Sequence, residues 1–178
     1  MRGARHQQTR VQPLMIKESL NMFEVEVTTQ NNRRLAGMAH KGAYDGIGVV
    51  FQKLATLASQ RNLWSASVNQ MAGVYHDDPA SVAEADLRSH AAIVIPADMD
   101  LPQGLEEVKL PAGKFAVLHY KGPYAGIKNG WAQLGGKWLP SSGEKPVKNG
   151  ACFELYLNDP ASTPEADLLT DIYIQLEA

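Results

Sequence analysis

Apolar and polar positions divide the first half of the chain into short strand-like stretches around one helical stretch. Phe23–Val27 alternates apolar and acidic residues, which predicts a half-buried strand, and Arg34–His40 predicts a second strand or its continuation after a turn. Tyr44–Asn62 repeats apolar residues at the i, i+3, i+4 and i+7 spacing of an amphipathic helix. Two apolar runs of strand length follow, at Gln70–Tyr75 and Ala91–Ile95. The pattern therefore predicts a strand-helix-strand-strand unit.

The second half of the chain repeats this order of elements. Glu106–Leu110 and Lys114–Tyr120 predict the first strand region, and Tyr124–Trp138 predicts a helix. Ala151–Leu157 and Asp171–Leu176 predict the two closing strands. Interior glycines cost a helix about 1 kcal/mol each relative to alanine, so we expect the second helix to be the softer one. Its glycines are Gly130, Gly135 and Gly136.

Two sequence motifs recur in the same order at nearly the same distance. HKGAYDGIG at His40–Gly48 returns 80 positions later as YKGPYAGIK, and DDPASVAEADL at Asp77–Leu87 returns 81 positions later as NDPASTPEADL. This period is longer than the units of a solenoid, which run about 20–50 residues. We therefore predict an α+β fold made of a duplicated unit in a pseudo-twofold pair. The repeats, about 22–97 and 105–178, form one domain over residues 22–178 and are joined by a linker at Ala97–Gly104.

Composition and charge narrow the classes of function. The 178 residues are 44% apolar and 20% charged, which is ordinary for a soluble globular protein. A net charge of −2 gives no general attraction to nucleic acid, so no direct nucleic-acid binding is expected. One cysteine, Cys152, excludes an intrachain disulfide, and no apolar run is long enough for a membrane span. We expect a cytoplasmic protein, with residues 1–21 as a flexible tail.

The KGxYxGI motif occurs in both repeats, which favours a structural role for it over a functional one. Gly42 and Gly122 suit a turn from strand into helix, and Tyr44 and Tyr124 either brace that turn or border the interface between the units. A phosphate-binding loop is a weaker alternative, because neither GxGxxG nor GxxxxGK[ST] spacing is present. The histidines are scattered, so no metal site or cofactor is expected, and Cys152 has no assigned base that would make it a nucleophile.

The strand at residues 151–157 contains the residues most indicative of function. Alternation places Phe153, Leu155 and Leu157 on one face of the strand. Because this face is entirely apolar, we expect it to pack under the helix. The opposite face should line the space between the units, and it carries Cys152, Glu154 and Tyr156. On the neighbouring strand we expect the same face to carry Asp171, Tyr173 and Gln175.

Comparison of the repeats singles out one carboxylate. At the 81-residue offset, Tyr75 aligns with Tyr156, whereas Gly73 aligns with Glu154. A residue needed for the scaffold should occur in both units, so the asymmetric Glu154 is a candidate ligand anchor. Two alternatives remain open on pattern alone: Glu154 as a solvated strand residue, and the tyrosines as packing residues. The tryptophans, Trp131 among them, suit either a core or a pocket wall.

These segments together resemble the gyrase-inhibitor-like family, whose members include the drug-binding effector domains of AraC- and MerR-type transcription regulators. The resemblance is carried by GKFAVLHYKGPY, CFELYLNDP and LLTDIYIQL, and covers about Phe23–Leu176. It implies an effector-binding, SHS2-like fold, in which an antiparallel sheet and a central groove hold the ligand. It also implies that an acidic residue on the CFELYLN strand, here Glu154, contacts cationic aromatic ligands.

The resemblance implies a stand-alone protein that binds amphipathic aromatic or cationic small molecules, since residues 1–21 are too few for a DNA-binding module. The predicted ligand-binding residues are Glu154, Tyr156, Tyr75, Tyr173, Trp131 and Tyr124. Two alternatives follow from the same resemblance. One is inhibition of DNA gyrase by protein-protein contact. The other is hydrolysis of cyclopropane-containing alkylating toxins, with Glu154 positioning the attacking water.

Overall fold

The computed structural model describes residues 23–178, in which the first repeat forms four strands and one main helix. The elements are β1 (Glu24–Gln30), β2 (Arg33–Lys41), a 3-10 turn at Tyr44–Ile47 leading into α1 (Gly48–Gln60), β3 (Met71–Tyr75) and β4 (Arg88–Ile95). The predicted tail at residues 1–21 lies outside the described residues. Among residues 23–178, no helix has the length and apolar character needed to cross a lipid bilayer.

The second repeat follows the same order with a longer helical segment. Its elements are β5 (Glu106–Leu110), β6 (Gly113–Lys121), a 3-10 turn at Tyr124–Gly126, α2 (Ile127–Gln133), a π-helical turn at Leu134–Trp138, α3 (Leu139–Ser142), β7 (Cys152–Tyr156) and β8 (Leu169–Leu176). The π turn contains Gly135 and Gly136. Each repeat therefore has two strands, not one, before its helix, because β1 and β2 are separate strands with different neighbours.

All eight strands form one antiparallel sheet in the order β1-β6-β8-β7-β3-β4-β2-β5. The order reads the same backwards when each strand is exchanged for its counterpart in the other repeat. The first strand of each repeat pairs with the other repeat, since β1 pairs with β6 and β5 with β2. The α+β class and the antiparallel sheet are as the sequence predicts.

The sheet bends strongly toward the side that carries no helices. The guanidinium carbon of Arg33 on β2 lies 5.9 Å from the ring centre of Tyr173 on β8, although three strands separate β2 from β8. In a flat sheet, four strand spacings would separate the backbones of β2 and β8 by roughly 19 Å. The helix-free face is consequently the inside of the bend, and it encloses an apolar core drawn from seven strands.

The helix-bearing face contains two separate apolar cores. One packs beneath α1 and includes Leu54 and Ile93, and the other packs beneath α2 and includes Leu134 and Ile172. The central strands β3 and β7 run between these two cores. A groove therefore lies over β3 and β7, with one helix as each wall.

The predicted assignment of faces on β7 is wrong. Phe153 and Leu155 belong to the core on the helix-free face, which contains no helical residue, and Leu157 lies beyond the strand end with 44% of its surface exposed. The bend buries both faces of the sheet, so apolar side chains occur on both. Alternation separates the two faces of such a strand but does not indicate which one meets the helices.

Tyr173 is the one predicted binding residue that the fold removes from the groove. It pairs with Phe153 across β7 and β8, and their rings stack with centres 4.4 Å apart on the helix-free face. Glu154 pairs instead with Ile172, which packs beneath α2. The prediction that Glu154 and Tyr173 share one face is therefore incorrect. Directly paired residues point to the same face of a sheet, and the partner of Tyr173 is Phe153, not Glu154.

The glycines of the recurring motif fit its structural interpretation. Gly42 and Gly122 have φ angles of +116° and +143°, a region that favours glycine. Their amides donate to the carbonyl oxygens of Leu87 and Leu168, respectively. A Cβ at Gly126 would lie 2.1 Å from the Tyr120 hydroxyl oxygen. These turns set the start of each helix and thereby place Tyr44 and Tyr124 at the edge of the groove.

Candidate ligand-binding groove

The groove between α1 and α2 has a volume of about 2620 Å³. Its floor includes residues of β3 and β7, and its ends are formed by the loops after those strands and the segments after the helices. Pockets for drug-sized ligands usually measure about 300–1,000 Å³. A single ligand of that size would fill only part of this groove, so the position of the polar groups decides where it binds.

Glu154 is the buried carboxyl group at the centre of the floor, with 3% of its surface exposed. The indole Nε1 of Trp131 donates to Oε1 at 2.6 Å. The hydroxyls of Tyr156 and Tyr75 donate to Oε2 at 2.5 and 3.1 Å. Three neutral donors thus converge on the two carboxylate oxygens, which are acceptors when the group is ionised.

Burial sets the protonation behaviour of this cluster. Burial raises the pKa of Glu154, and the hydrogen bonds from Tyr156, Trp131 and Tyr75 act in the opposite direction. Burial and the nearby charge of Glu154 raise the pKa of Tyr75 and of Tyr156 well above 10.0. Both phenols therefore stay protonated as donors, and the carboxyl, whose pKa is raised on balance by its burial, is the group of the cluster that ionises most readily.

Tyrosines from both repeats surround this carboxyl in matching pairs. Tyr44 contacts Tyr75 with ring centres 4.9 Å apart, and at equivalent positions Tyr124 contacts Tyr156 at 5.3 Å. Both pairs meet edge to face, a favourable geometry for aromatic rings. The Tyr44 hydroxyl also donates to the carbonyl of Asp77 at 2.7 Å, whereas Tyr124 is 39% exposed at the groove surface.

The helical walls contribute one further aromatic side chain each, and these two differ. Trp131 of α2 packs edge to face on Tyr75 at 5.8 Å, and Phe51 of α1 packs in the same way on Tyr156 at 5.3 Å. Trp131 and Phe51 occupy equivalent positions 80 residues apart, but only the indole has a donor for Glu154. The indole donor and the carboxylate thus both come from the second repeat, whereas the first repeat contributes the Tyr75 hydroxyl.

Gly73 and Glu154 are directly paired across β3 and β7. Because they are equivalent positions of the two repeats, the pseudo-twofold axis passes through this pair. A Cβ at Gly73 would lie 3.0 Å from the Tyr75 hydroxyl and 3.2 Å from the Tyr156 hydroxyl. The glycine therefore leaves the space in which both phenols reach the single carboxylate.

Charged side chains that line the groove are mostly acidic. Asp77 is neutralised by Arg88 at 2.7 Å. The remaining charged residues of the lining are Asp45, Asp78, Asp159, Lys128, Lys148 and Glu154. Four carboxylates against two ammonium groups give the groove a negative excess, which attracts cationic ligands.

The structure brings five of the six predicted binding residues together around this groove. Glu154, Tyr156, Tyr75, Trp131 and Tyr124 line it, and Tyr173 does not. Sequence reasoning missed Phe51 and left Tyr44 undecided. Both would have been found by applying the repeat offset to residues already chosen, because they correspond to Trp131 and Tyr124.

Two other kinds of chemistry receive no support from the groove. Cys152 lines it, but burial raises the pKa of this thiol to about 11, so it stays protonated near neutral pH. Among residues 23–178, no group of three or more His, Cys, Asp or Glu side chains is arranged to hold a metal ion.

Comparison with protein families identifies one model over nearly the whole described chain. The model, described as a GyrI-like small molecule binding domain, matches residues 23–177. A DNA gyrase inhibitor of Erwinia billingiae (strain Eb661) is 30% identical over 156 residues, which cover 85% of this chain and 96% of that relative. The sequence similarity therefore extends over the groove and both repeats.

Solved structures show the same fold at low sequence identity. The C-terminal domain of EcmrR matches with a TM-score of 0.67 at 15% identity, covering 87% of this chain and 98% of that domain. In the EcmrR–DNA complex the match covers 60% of the EcmrR chain, with a TM-score of 0.70 at 14% identity and 90% of this chain. SAV2435 bound to tetraphenylphosphonium matches with a TM-score of 0.66 at 13% identity, covering 87% of this chain and 94% of that chain.

Proposed function

This chain belongs to the GyrI-like family of small-molecule-binding domains, and from that premise we propose that its groove binds amphipathic aromatic cations, as part of drug or toxin sensing or sequestration. The observation that carries the proposal is Glu154, a nearly buried carboxylate surrounded by aromatic rings. A desolvated carboxylate is unfavourable until a positive partner arrives, so the site favours cations over neutral molecules of the same shape.

The aromatic side chains add affinity for the same class of ligand. Faces of tyrosine, phenylalanine and tryptophan attract organic cations by roughly 0.5–2 kcal/mol each. Rings from both repeats lie within contact distance of the Tyr75 and Tyr156 side chains that hold Glu154. A flat or globular aromatic cation placed over Glu154 would therefore use charge and ring contacts together.

The existing hydrogen bonds favour one kind of cation. A carboxylate offers about four lone-pair positions, and three are already used by Trp131, Tyr75 and Tyr156. A protonated amine would compete with these donors, whereas a cation with delocalised charge and no N–H group needs no free lone pair. SAV2435, which shares the fold, has been solved with tetraphenylphosphonium, a cation of that kind.

The proposed function is tested by replacing Glu154 with glutamine, which keeps the size of the side chain and removes its charge. Affinity for tetraphenylphosphonium, measured by calorimetry, should fall by roughly 2–5 kcal/mol, the usual loss when one partner of a buried charge pair is removed. A neutral aromatic ligand of similar size should lose much less. Glu165→Gln, at an exposed position outside the groove, is the matched control. Equal affinity of parent and Glu154→Gln for the cation would refute Glu154 as the anchor.

Gyrase inhibition is a second candidate, supported by the names of the curated relatives, among them the Erwinia protein. A supercoiling assay with purified gyrase distinguishes the two functions. If inhibition is direct, the protein should reduce supercoiling without any small molecule, and the Glu154→Gln variant should inhibit equally well. Unchanged supercoiling at protein concentrations far above that of gyrase would exclude direct inhibition.

Hydrolysis of a strained electrophile is less well supported by the groove. Such chemistry would need Glu154 to hold a water and accept its proton. Trp131, Tyr75 and Tyr156 instead direct their own hydrogens at both carboxylate oxygens. For this reason binding, and not hydrolysis, is the function that we propose.

A further inference from the structure

The groove extends beyond the aromatic residues around Glu154 to a second exposed aromatic side chain, Trp64. Trp64 lines the groove and is 37% exposed, in the segment between α1 and β3. Its indole N–H already donates to the Ser59 hydroxyl at 3.1 Å, which leaves an apolar ring without a polar requirement. A large aromatic side chain held in this way at the wall of an open groove is suited to stacking with a ligand ring.

The pairing of the central strands defines which end of the groove Trp64 occupies. Met71 at the start of β3 pairs with Tyr156 at the end of β7, so the segment before β3 and the loop after β7 meet at one end. Tyr124 contacts Tyr156 and belongs to the same end. Ser59, which holds Trp64, lies eight residues after Phe51 on α1, or about 12 Å along the helix.

Trp64 has no aromatic counterpart at the equivalent position of the other repeat. Asn62 and Gly143 both follow their helices with left-handed backbone, at φ angles of +53° and +79°, and therefore align at the 81-residue offset. The same offset aligns Trp64 with Lys145. Of these two equivalent positions, only Trp64 is aromatic and only Trp64 lines the groove.

Charge at the Trp64 end differs from charge at the centre. The charged residues of the lining there are Lys128, from the start of α2, and Asp159, from the loop after β7. Their opposite charges balance, so this end gives no net preference for an ion. An uncharged aromatic group is the best match to it, in contrast to the cation favoured at Glu154.

We propose that Trp64 forms a second subsite, for a neutral aromatic ring, and that the groove takes elongated ligands with an aromatic cation at one end. The rise of α1 from Phe51, beside the Glu154 site, to Ser59, beside Trp64, sets the expected separation of the two ends of such a ligand at about 12 Å. The inference rests on the proposed function, because the cationic end is placed at Glu154. It explains why the groove volume of about 2620 Å³ exceeds what one compact cation fills.

A series of two-headed ligands tests the subsite. Each carries a triphenylphosphonium group and a naphthyl group joined by an alkyl linker of increasing length, and the same series without the naphthyl group corrects for the linker itself. Affinity by calorimetry should rise about 10- to 100-fold over the corrected one-headed series when the linker spans about 12 Å. Trp64→Ala should remove this gain, and Trp64→Phe should retain most of it.

Controls separate failure of the subsite from failure of the proposed function. Leu101→Ala alters a residue that is also 37% exposed but does not line the groove, and it should leave every affinity unchanged. If one-headed cations bind through Glu154 but the naphthyl group adds nothing at any length, the Trp64 subsite is wrong and the proposed function stands. If Trp64→Ala weakens one-headed and two-headed ligands equally, the subsite is likewise wrong. If one-headed cations bind no better to the parent than to Glu154→Gln, the proposed function fails.

Discussion

The two halves of the groove share a framework and differ in its chemistry. Both halves contribute a tyrosine pair, Tyr44 with Tyr75 and Tyr124 with Tyr156. The half from the second repeat adds Glu154 and the indole that donates to it, whereas the half from the first repeat has glycine and phenylalanine at those positions. The shared tyrosines form the aromatic surroundings of the site, and the unshared residues supply its carboxyl group and the indole donor.

The position of the symmetry axis explains why the carboxylate is single. Directly paired residues of an antiparallel sheet have Cβ atoms about 4.5–5.5 Å apart, and like charges at that distance destabilise the pair. Glu154 and Gly73 are such a pair, so two glutamates would oppose each other in a buried place. A symmetric arrangement is therefore disfavoured at this point even though the surrounding framework is nearly symmetric.

Restoring the symmetry at the axis should have the largest effect. Gly73→Glu would bury a second carboxylate beside Glu154, and its Cβ would meet both tyrosine hydroxyls. We expect a loss of roughly 3 kcal/mol or more in the free energy of unfolding, measured with urea at neutral pH. Gly73→Ala adds the Cβ without the charge and should cost much less. Equal losses for the two variants would show that space, and not charge, keeps this position a glycine.

Making the walls alike should have an intermediate effect. Trp131→Phe gives α2 the side chain that α1 has at Phe51 and removes the donor at 2.6 Å from Glu154. Loss of a hydrogen bond to a buried charged group should lower the free energy of unfolding by roughly 1–3 kcal/mol. Trp138→Phe makes the same substitution away from the groove and is the control. A smaller loss for Trp131→Phe than for Trp138→Phe would contradict a stabilising role of the indole donor.

The smallest expected effect concerns a histidine that only the second repeat has. His119 corresponds to Ala39 and lies between Asp171 at 2.7 Å and Glu26 of β1 at 3.5 Å. Burial lowers the pKa of His119, but the Asp171 hydrogen bond and the charges of Asp171 and Glu26 outweigh this, so that the pKa is raised above 6.5. Its stabilising contribution is therefore complete below pH 6.5 and lost as the pH rises through the raised value.

His119→Ala should remove this pH dependence. Because the side chain is 39% exposed, screening by solvent limits the contribution to less than about 1 kcal/mol. Urea unfolding between pH 6 and pH 9 should show the parent losing more stability than the variant. A parent whose stability does not decline relative to His119→Ala over this range would mean that the cluster does not hold β1 to β6.

The sequence alone was sufficient for the α+β class, for the position of the main helix in each half and for most of the residues that line the groove. Helices and strands follow from local periodicity, which depends on neighbours within a few residues. Glu154 stood out because an alignment of the two repeats separates shared residues from unshared ones. Five of the six candidate binding residues line the groove, among them Tyr75 and Tyr156, which are equivalent positions of the two repeats.

The tertiary structure decided which face each strand turns to the helices and which strands are neighbours. The bent sheet buries both of its faces, so the alternation on β7 was equally compatible with Phe153 or Glu154 beneath the helices. Tyr173 was misplaced because its face depends on the register with β7, a contact between residues far apart in sequence. The exchange of β1 and β5 between the repeats, and the direct pairing of Gly73 with Glu154, are likewise long-range contacts. Local patterns carry no information about such contacts, because any register that buries the same apolar area satisfies them equally well.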